Sequence, residues 1–345
     1  MPTLPPSVSM LPSLPPRVAL LTSTVLSSSY STSLKLIYAA DVDQVLTPTT
    51  ITAFRFMIMA AVAQVFILLP TDRQDERQDD PPGFWRAAAE LGFWATAGAE
   101  FNTAALQQIG VIRGTILLAT INILTPTLSA TIGTSPQQRM VATRTWLACA
   151  LSLASTVYAL SDDISASSSA LIPTLLPGDE MAIGAACCYA TGQVRLSSLV
   201  AQYSSERLAA ARLQTQATCS LLFLPLRSVP LTQALSGSDL PAVLSGASEW
   251  FSHISSTQLA LLCLSASFAV VGLLLQYEGQ RVVPASEAQP IYASSPVLSA
   301  LWAFTILNEP ITSSEAVGGL GIGGAVLLAA RRHERRSEDE KVSSG

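Results

Sequence analysis

The sequence predicts an all-α integral membrane protein of about ten transmembrane helices, arranged as two inverted five-helix repeats. Three observations carry the prediction: a shortage of charge, a train of apolar stretches long enough to cross a bilayer, and short motifs that echo between the two halves. Of 345 residues, 49% are apolar and 12% charged, and mean hydropathy is +0.42. An average soluble domain carries about 25% charge. A chain this poor in charge must present an apolar surface, which lipid accepts and water does not. The same composition rules out a disordered chain, whose signature is low hydrophobicity with high charge. A net charge of −5 and a pI near 5.1 argue against nucleic acid as a partner. Cys149, Cys187, Cys188, Cys219 and Cys263 lie in apolar stretches with no C-x-x-C pair, so neither a disulfide framework nor a zinc site is indicated. With only His253 and His333, imidazole chemistry and metal binding are poorly supplied. No cofactor is expected.

A bilayer core takes about 20 mostly apolar residues per helix. In order, the candidate spans are Val18–Ala40, Thr50–Leu69, Phe84–Gln108, Gly114–Ile132 and Met140–Leu160, then Asp179–Val200, Arg207–Leu226, Thr257–Tyr277, Val283–Leu307 and Ser313–Ala330. Ser27, Ser28, Ser29, Ser31, Thr32 and Ser33 dilute the first, and Arg207–Gln216 dilutes the seventh, so nine spans is the alternative count. The connectors fit this division. Thr71–Pro82 is charged and ends in two prolines, 161–177 and Ser228–Ser256 are rich in Ser, Pro and Gly, and 331–345 is a charged tail placed in the cytosol. Residues 1–16 form a Pro/Ser-rich leader expected to be disordered; their lack of acidic residues fits a targeting peptide only weakly. With the amino terminus in the cytosol, fifteen Lys and Arg fall on the inner side. Three (Lys35, Arg113 and Arg227) fall outside, and Arg55 sits within the second span. That asymmetry follows the positive-inside rule and favours an even number of spans.

The echo lies across the third and fourth spans and again across the eighth and ninth. Leu106–Gly110 and Leu275–Gly279 both read L-Q-x-x-G, and Pro126–Ala130 and Pro296–Ala300 both read P-x-L-S-A, in the same order and at similar spacing. A five-helix unit that starts on one side of a membrane ends on the other, so its duplicate must be upside down. Inverted repeats of this kind characterise secondary transporters, with the substrate near the midplane where the halves meet.

Residues 288–330 read AQPIYASSPVLSALWAFTILNEPITSSEAVGGLGIGGAVLLAA. A helix with a mid-span proline, a short turn carrying N-E (Asn308-Glu309) and a Gly-rich helix resemble the last two helices of EamA-type proteins in the drug/metabolite transporter superfamily. Gly178-Asp179 resembles the family's G-D opening of the second half, and Arg55-Phe56 its R-F in the second span. The resemblance runs over Val18–Ala330. It implies a five-helix repeat over 17–160, a loop over 161–177 and a second repeat over 178–330, which together move small metabolites. Sugar-phosphate and nucleotide-sugar antiporters share the architecture, but Val283–Leu307 lacks the basic residues expected for a phosphate.

Polar residues inside spans nominate the cavity, because a charge at the bilayer centre costs on the order of 3 kcal/mol and turns inward. Glu100, Thr103 and Gln107 share one face of the third span. Glu100 reads either as a cavity acid that exchanges protons or as a carboxyl held between helices. Thr115, Asn122 and Ser129 recur every seven residues along the fourth, as a cavity wall or as a helix contact. Gln289 and Tyr292 flank prolines in the ninth. Asn102, Gln193 and Gln276 are secondary candidates, and Arg195 is expected to snorkel to the inner interface. Gly319–Gly324 contains G-x-G-x-x-G, but it lies in an apolar helix without the βαβ setting of a dinucleotide site. The expected use there is close helix packing through Gly319 and Gly323. Cys187 and Cys188 read as two buried thiols.

The chain is therefore expected to be a non-enzymatic secondary transporter of a small organic metabolite, with lipid and that substrate as partners and proton coupling through Glu100 as one reading. A receptor or scaffold on the same fold is the alternative. Homodimerisation, and the choice among plasma membrane, endomembrane and plastid envelope, are left open by the sequence.

Overall fold

The computed structural model describes residues 14–40, 47–68, 82–133, 139, 143–159, 177–200, 202–228, 254–283, 288, 291–292 and 294–330. Most of the leader, the longer connectors, the tail, Gln289, His253 and His333 lie outside the described residues. Among the described residues the chain is helical, without a strand. The first half holds α1 (Pro16–Ala39), α2 (Pro48–Leu68), α3 (Phe84–Gln108), α4 (Val111–Leu118), α5 (Ile121–Ile132) and α6 (Thr143–Ala159). The second holds α7 (Pro177–Leu199), α8 (Ser205–Ser228), α9 (Ser256–Val282), α10 (Ser295–Trp302) with a π-turn over Ala303–Leu307, and α11 (Ser313–Ala330).

Local chemistry sets the ends. Pro16 opens α1, where a missing N–H costs nothing. Gly83, at φ 88, turns the chain into α3 in a conformation that only glycine enters freely. Ser255 and Gln258 form a reciprocal capping box at the start of α9. Asn308 at φ 53 closes the π-turn, a left-handed position that asparagine tolerates well.

The fourth expected span is broken into α4 and α5. Pro126 has no N–H to give the Asn122 carbonyl one turn earlier. The Cys149 thiol, from α6, donates to that carbonyl at 3.2 Å instead. Just upstream the backbone tightens to three-residue bonds, Thr120 N–H to Leu117 and Asn122 N–H to Ala119.

Helix neighbours follow a regular scheme. α3 lies along α7 as α1 lies along α9. α8 touches α3 as α2 touches α9. α4 and α5 touch α7 as α10 touches α1. α2 packs on α8, α4 on α10 and α6 on α11. With α4–α5 taken as the fourth segment and α10 with its π-turn as the ninth, each of these pairings maps onto another, or onto itself, when segment n is exchanged for n+5. Both echo motifs sit at matching depths: Leu106 and Leu275 are buried, as are Ser129 and Ser299.

The distribution of polarity reverses that of a soluble protein. Leu222, Leu264, Leu301, Phe304 and Leu320 are exposed, while Thr24, Thr52, Thr96, Thr103 and Thr125 are fully or almost fully buried. The buried hydroxyls are satisfied locally, as where Thr24 donates to the Leu20 carbonyl and Thr52 to Pro48. By length and composition, three helical segments among the described residues suffice to cross a membrane: Pro48–Val65, Val111–Ile132 and Ser256–Val282. Trp146–Ala159 and Ser295–Leu307 are shorter apolar helices. Of the other expected spans α8 is the most polar, followed by α7 and α1, and in α1 serine and threonine hydroxyls turned inward lower the average hydropathy.

Three expectations need correction. Close packing of α11 on α6 runs through Gly318 and Gly321, not Gly319 and Gly323. A Cβ on Gly318 would collide with Ala159, and one on Gly321 with Ser155, whereas one on Gly319 would meet only Val297 at 3.8 Å and one on Gly323 nothing within 4 Å. The sequence spacing named a glycine face but not which face met the neighbour. Cys187 is exposed rather than buried, and Cys188 is partly buried. Arg195 does not snorkel alone; it forms a two-pronged ion pair with Glu90 of α3, Nη2 to Oε2 at 3.0 Å.

We expect Gly318→Leu to lower the Tm of the detergent-solubilised protein by several degrees, since overpacking costs about 1–3 kcal/mol. Gly323→Ala should hold or raise it, as alanine is the better helix former by about 1 kcal/mol. Thermal melts read by size-exclusion chromatography distinguish the two.

Candidate functional site

A cavity of about 300 Å³ opens between the halves. α1 contributes Ser23, Thr24, Ser27, Ser29 and Tyr30; α2, Arg55 with Phe56 and Met59; α3, Asn102 beside Leu91, Ala95 and Ala99. The break between α4 and α5 brings Thr115 and Asn122 to the wall. The second half adds Tyr189 and Gln193 from α7, Arg212 and Gln216 from α8, Ser265 and Gln276 from α9, and Tyr292 and Ser299 in and before α10.

The two arginines dominate its electrostatics. Arg55 is 8% exposed, and its guanidinium lies 3.9 Å from the centroid of the Tyr30 ring. Tyr30 is held in turn: its hydroxyl pairs with Thr103 Oγ1 at 2.9 Å, and Thr52 Oγ1 reaches the same atom at 3.3 Å. Tyr38 donates to the Thr103 carbonyl at 3.1 Å. Arg212 donates from Nη1 to the Tyr277 hydroxyl at 3.3 Å, and its guanidinium lies 5.8 Å from that ring's centroid. Nε of each arginine is buried without a hydrogen-bond partner, as are Oε1 of Gln193 and Gln216. Tyr292 accepts from Gln280 Nε2 at 3.1 Å. Ser23 donates to the Gly272 carbonyl and Ser299 to that of Ser28, binding α1 to α9 and α10 around the cavity.

Ion pairs close the two ends of α7. At one end Asp179, 1% exposed, takes Arg113 of α4 in a bidentate pair, Nε to Oδ1 at 2.8 Å and Nη2 to Oδ2 at 2.7 Å. The Glu90–Arg195 pair stands at the other. Beside the first, Glu309 from the turn before α11 receives the Ile112 and Val111 N–H groups at the start of α4. Burial pushes the Glu309 carboxyl above its ordinary value, opposed by the Ile112 N–H, by Lys35 and by the Val111 N–H. A Cβ on Gly110 would reach 2.8 Å from Glu309 Oε1, so a glycine is what lets this turn dock.

Of the residues nominated by the sequence, Asn122 and Tyr292 line the cavity, and so do Asn102, Thr115, Gln193 and Gln276. Glu100 is half-buried and is not among the lining residues; Gln107 is exposed; Gln289 lies outside the described residues. Thr103 is fully buried behind the wall and acts on it through Tyr30. Sequence reasoning missed the pair Arg55 and Arg212, with Tyr30 and Tyr189. Arg212 falls in the polar Arg207–Gln216 start of the seventh expected span and counts there with the inner-side cations. The available signal was Arg55 itself, a charge set between Phe54 and Phe56 in an apolar run.

With large apolar side chains exposed and a polar-lined cavity inside, the molecule has the build of a membrane-embedded protein. Residues 176–331, most of the second half of the chain, match the family model of the EamA-like transporter family. No curated protein matches the chain in sequence. A solved structure titled only "Crystal structure of protein" has a TM-score of 0.64 at 18% identity, covering 93% of this chain and 98% of its own. That likeness is one of fold.

Thr103→Val removes the partner of the Tyr30 hydroxyl and should cost about 1 kcal/mol of stability, the usual worth of a buried hydrogen bond. It should also weaken ligand binding in the cavity. Gln107→Ala, on the exposed side of the same helix, should change neither, with Tm and ligand titration as the readouts.

Proposed function

We propose that this protein is a secondary transporter that carries a small organic metabolite through the central cavity by alternating access. In this reading residues 17–160 and 178–330 are inverted five-span repeats that rock against one another about the cavity, and 331–345 is a cytosolic tail. The observation that carries it is a polar cavity walled by both halves inside an apolar shell. Three features support it: the exchange of neighbours between segments n and n+5, the interrupted fourth and ninth segments that border the cavity from opposite halves, and the EamA match over the second half. Non-helical backbone at membrane depth is tolerated where it lines such a cavity. At about 300 Å³ the space lies at the small end of the roughly 300–1,000 Å³ typical of ligand pockets. That favours a small metabolite over a nucleotide sugar. Asn122 and Tyr292 are proposed to contact it.

The test is counterflow in proteoliposomes preloaded with a metabolite extract: exchange of a labelled compound supports transport, and binding without exchange supports a receptor or scaffold. Ala99 and Asn102 face the cavity while Glu100 does not, so Glu100→Gln is expected to keep uptake with an unchanged pH dependence. Loss of that dependence would instead place a coupled proton on Glu100.

A further inference from the structure

The cavity holds two cations and, among the described residues, no lining Asp or Glu. Neither Arg55 nor Arg212 forms an ion pair with a described residue. Burying a guanidinium without a counter-charge is costly; Arg55 is buried, and Arg212 is partly buried with its Nε enclosed, at matching places. Arg55 lies seven residues into α2, which starts at Pro48; Arg212 lies seven residues into α8, which starts at Ser205. α2 and α8 are segments two and seven, packed on each other, so the pair follows the same exchange that relates the halves.

The surroundings hold the two guanidiniums in place without neutralising them. A tyrosine ring attracts the cation without supplying a negative charge; of the five donors a guanidinium carries, Arg212 gives one to the Tyr277 hydroxyl. Nε of both arginines lacks an acceptor. The remaining wall supplies Gln193, Gln216, Asn122 and serine hydroxyls, which suit the polar body of a small metabolite.

Resting on the transporter reading, we propose that the cavity binds a small organic anion, with its carboxylate or phosphate held between Arg55 and Arg212. A planar fork of donors matches the two oxygens of either group. Such an anion supplies the counter-charge that the fold withholds. The ninth segment's lack of basic residues does not oppose this, because the positive charge comes from the second and seventh.

The experiment is a thermal-shift titration of the purified full-length chain at constant ionic strength with succinate, glycerol 3-phosphate, the neutral succinamide and the cation agmatine. Stabilisation by succinate or glycerol 3-phosphate, but not by succinamide or agmatine, supports the proposal, and the responding probe tells carboxylate from phosphate. Arg55→Gln and Arg212→Gln, made separately, should each weaken that response by roughly 10- to 100-fold, the range for losing a hydrogen bond to a charged group. Their ligand-free Tm should be equal to or above that of the parent, since an unpaired buried charge is removed; this separates lost binding from lost folding. Stabilisation by agmatine or succinamide alone, no response to either anion, or an undiminished response in both variants overturns it. Anion binding without counterflow would sink transport and leave the anion site standing; counterflow of neutral or cationic compounds alone would do the reverse.

Discussion

Two guanidinium groups, Arg55 buried and Arg212 partly buried, line one cavity from the two halves of a membrane-embedded bundle with no Asp or Glu beside them among the described lining residues, and they impose the central constraint on this molecule. A charge in such a place must be braced, and much of the polar interior does that bracing. Tyr30 lies against Arg55, Thr103, itself bonded by Thr52, fixes the Tyr30 hydroxyl, and Tyr277 receives Arg212. The serines of α1 fit the same logic. They would weaken an ordinary span, but here they face the cavity or bond to their own helix carbonyls and to α9. Lipid meets the opposite surfaces, where leucines and phenylalanines stand exposed.

Breaks in the helices serve the same cavity. Pro126 releases the Asn122 carbonyl, the Cys149 thiol accepts the role of its missing donor, and the interruption carries Asn122 to the wall. In the other half the chain before α10 does the equivalent with Tyr292 and Pro296. The halves are also tied at their ends. Arg113–Asp179 and Glu309 at the start of α4 join first-half to second-half elements at one end, and Glu90–Arg195 does so at the other. A bundle closed by polar contacts at both ends and hollow between them has the parts that alternating exposure needs, since ion pairs can be remade where apolar packing cannot.

The order of helical segments, the N-E turn and the Gly-rich final helix were legible in the sequence, because each is written in local chemistry: apolar runs, turn residues, small residues; the break between α4 and α5 was not, since Gly114–Ile132 reads as one apolar span. Asn122, nominated by its seven-residue stripe with Thr115 and Ser129, and Tyr292, nominated as a polar side chain beside prolines, both line the cavity. What else was not legible depended on which face of a helix met which neighbour. Glu100 was the most conspicuous acid in a span, yet its helix turns Asn102 toward the cavity. Gly318 and Gly321, not the expected pair, touch α6. Arg212 read as part of a stretch that dilutes the seventh span, whereas it and Gln216 line the cavity. Hydropathy averages over a helix and cannot separate a weak span from one that lines a cavity; among the described residues only α2, α4–α5 and α9 are long and apolar enough to cross a membrane by length and composition.

The most direct measurement is aqueous accessibility from the two faces of a membrane. In a chain with its five native cysteines replaced, Ser27→Cys on the cavity wall and Leu320→Cys on the apolar exterior are challenged with a membrane-impermeant thiol reagent in sealed vesicles of each orientation. A hollow that opens alternately predicts that Ser27→Cys reacts in both orientations and Leu320→Cys in neither. Reaction of Ser27→Cys from one face only, or ready labelling of Leu320→Cys, would contradict a polar path enclosed by lipid-facing helices.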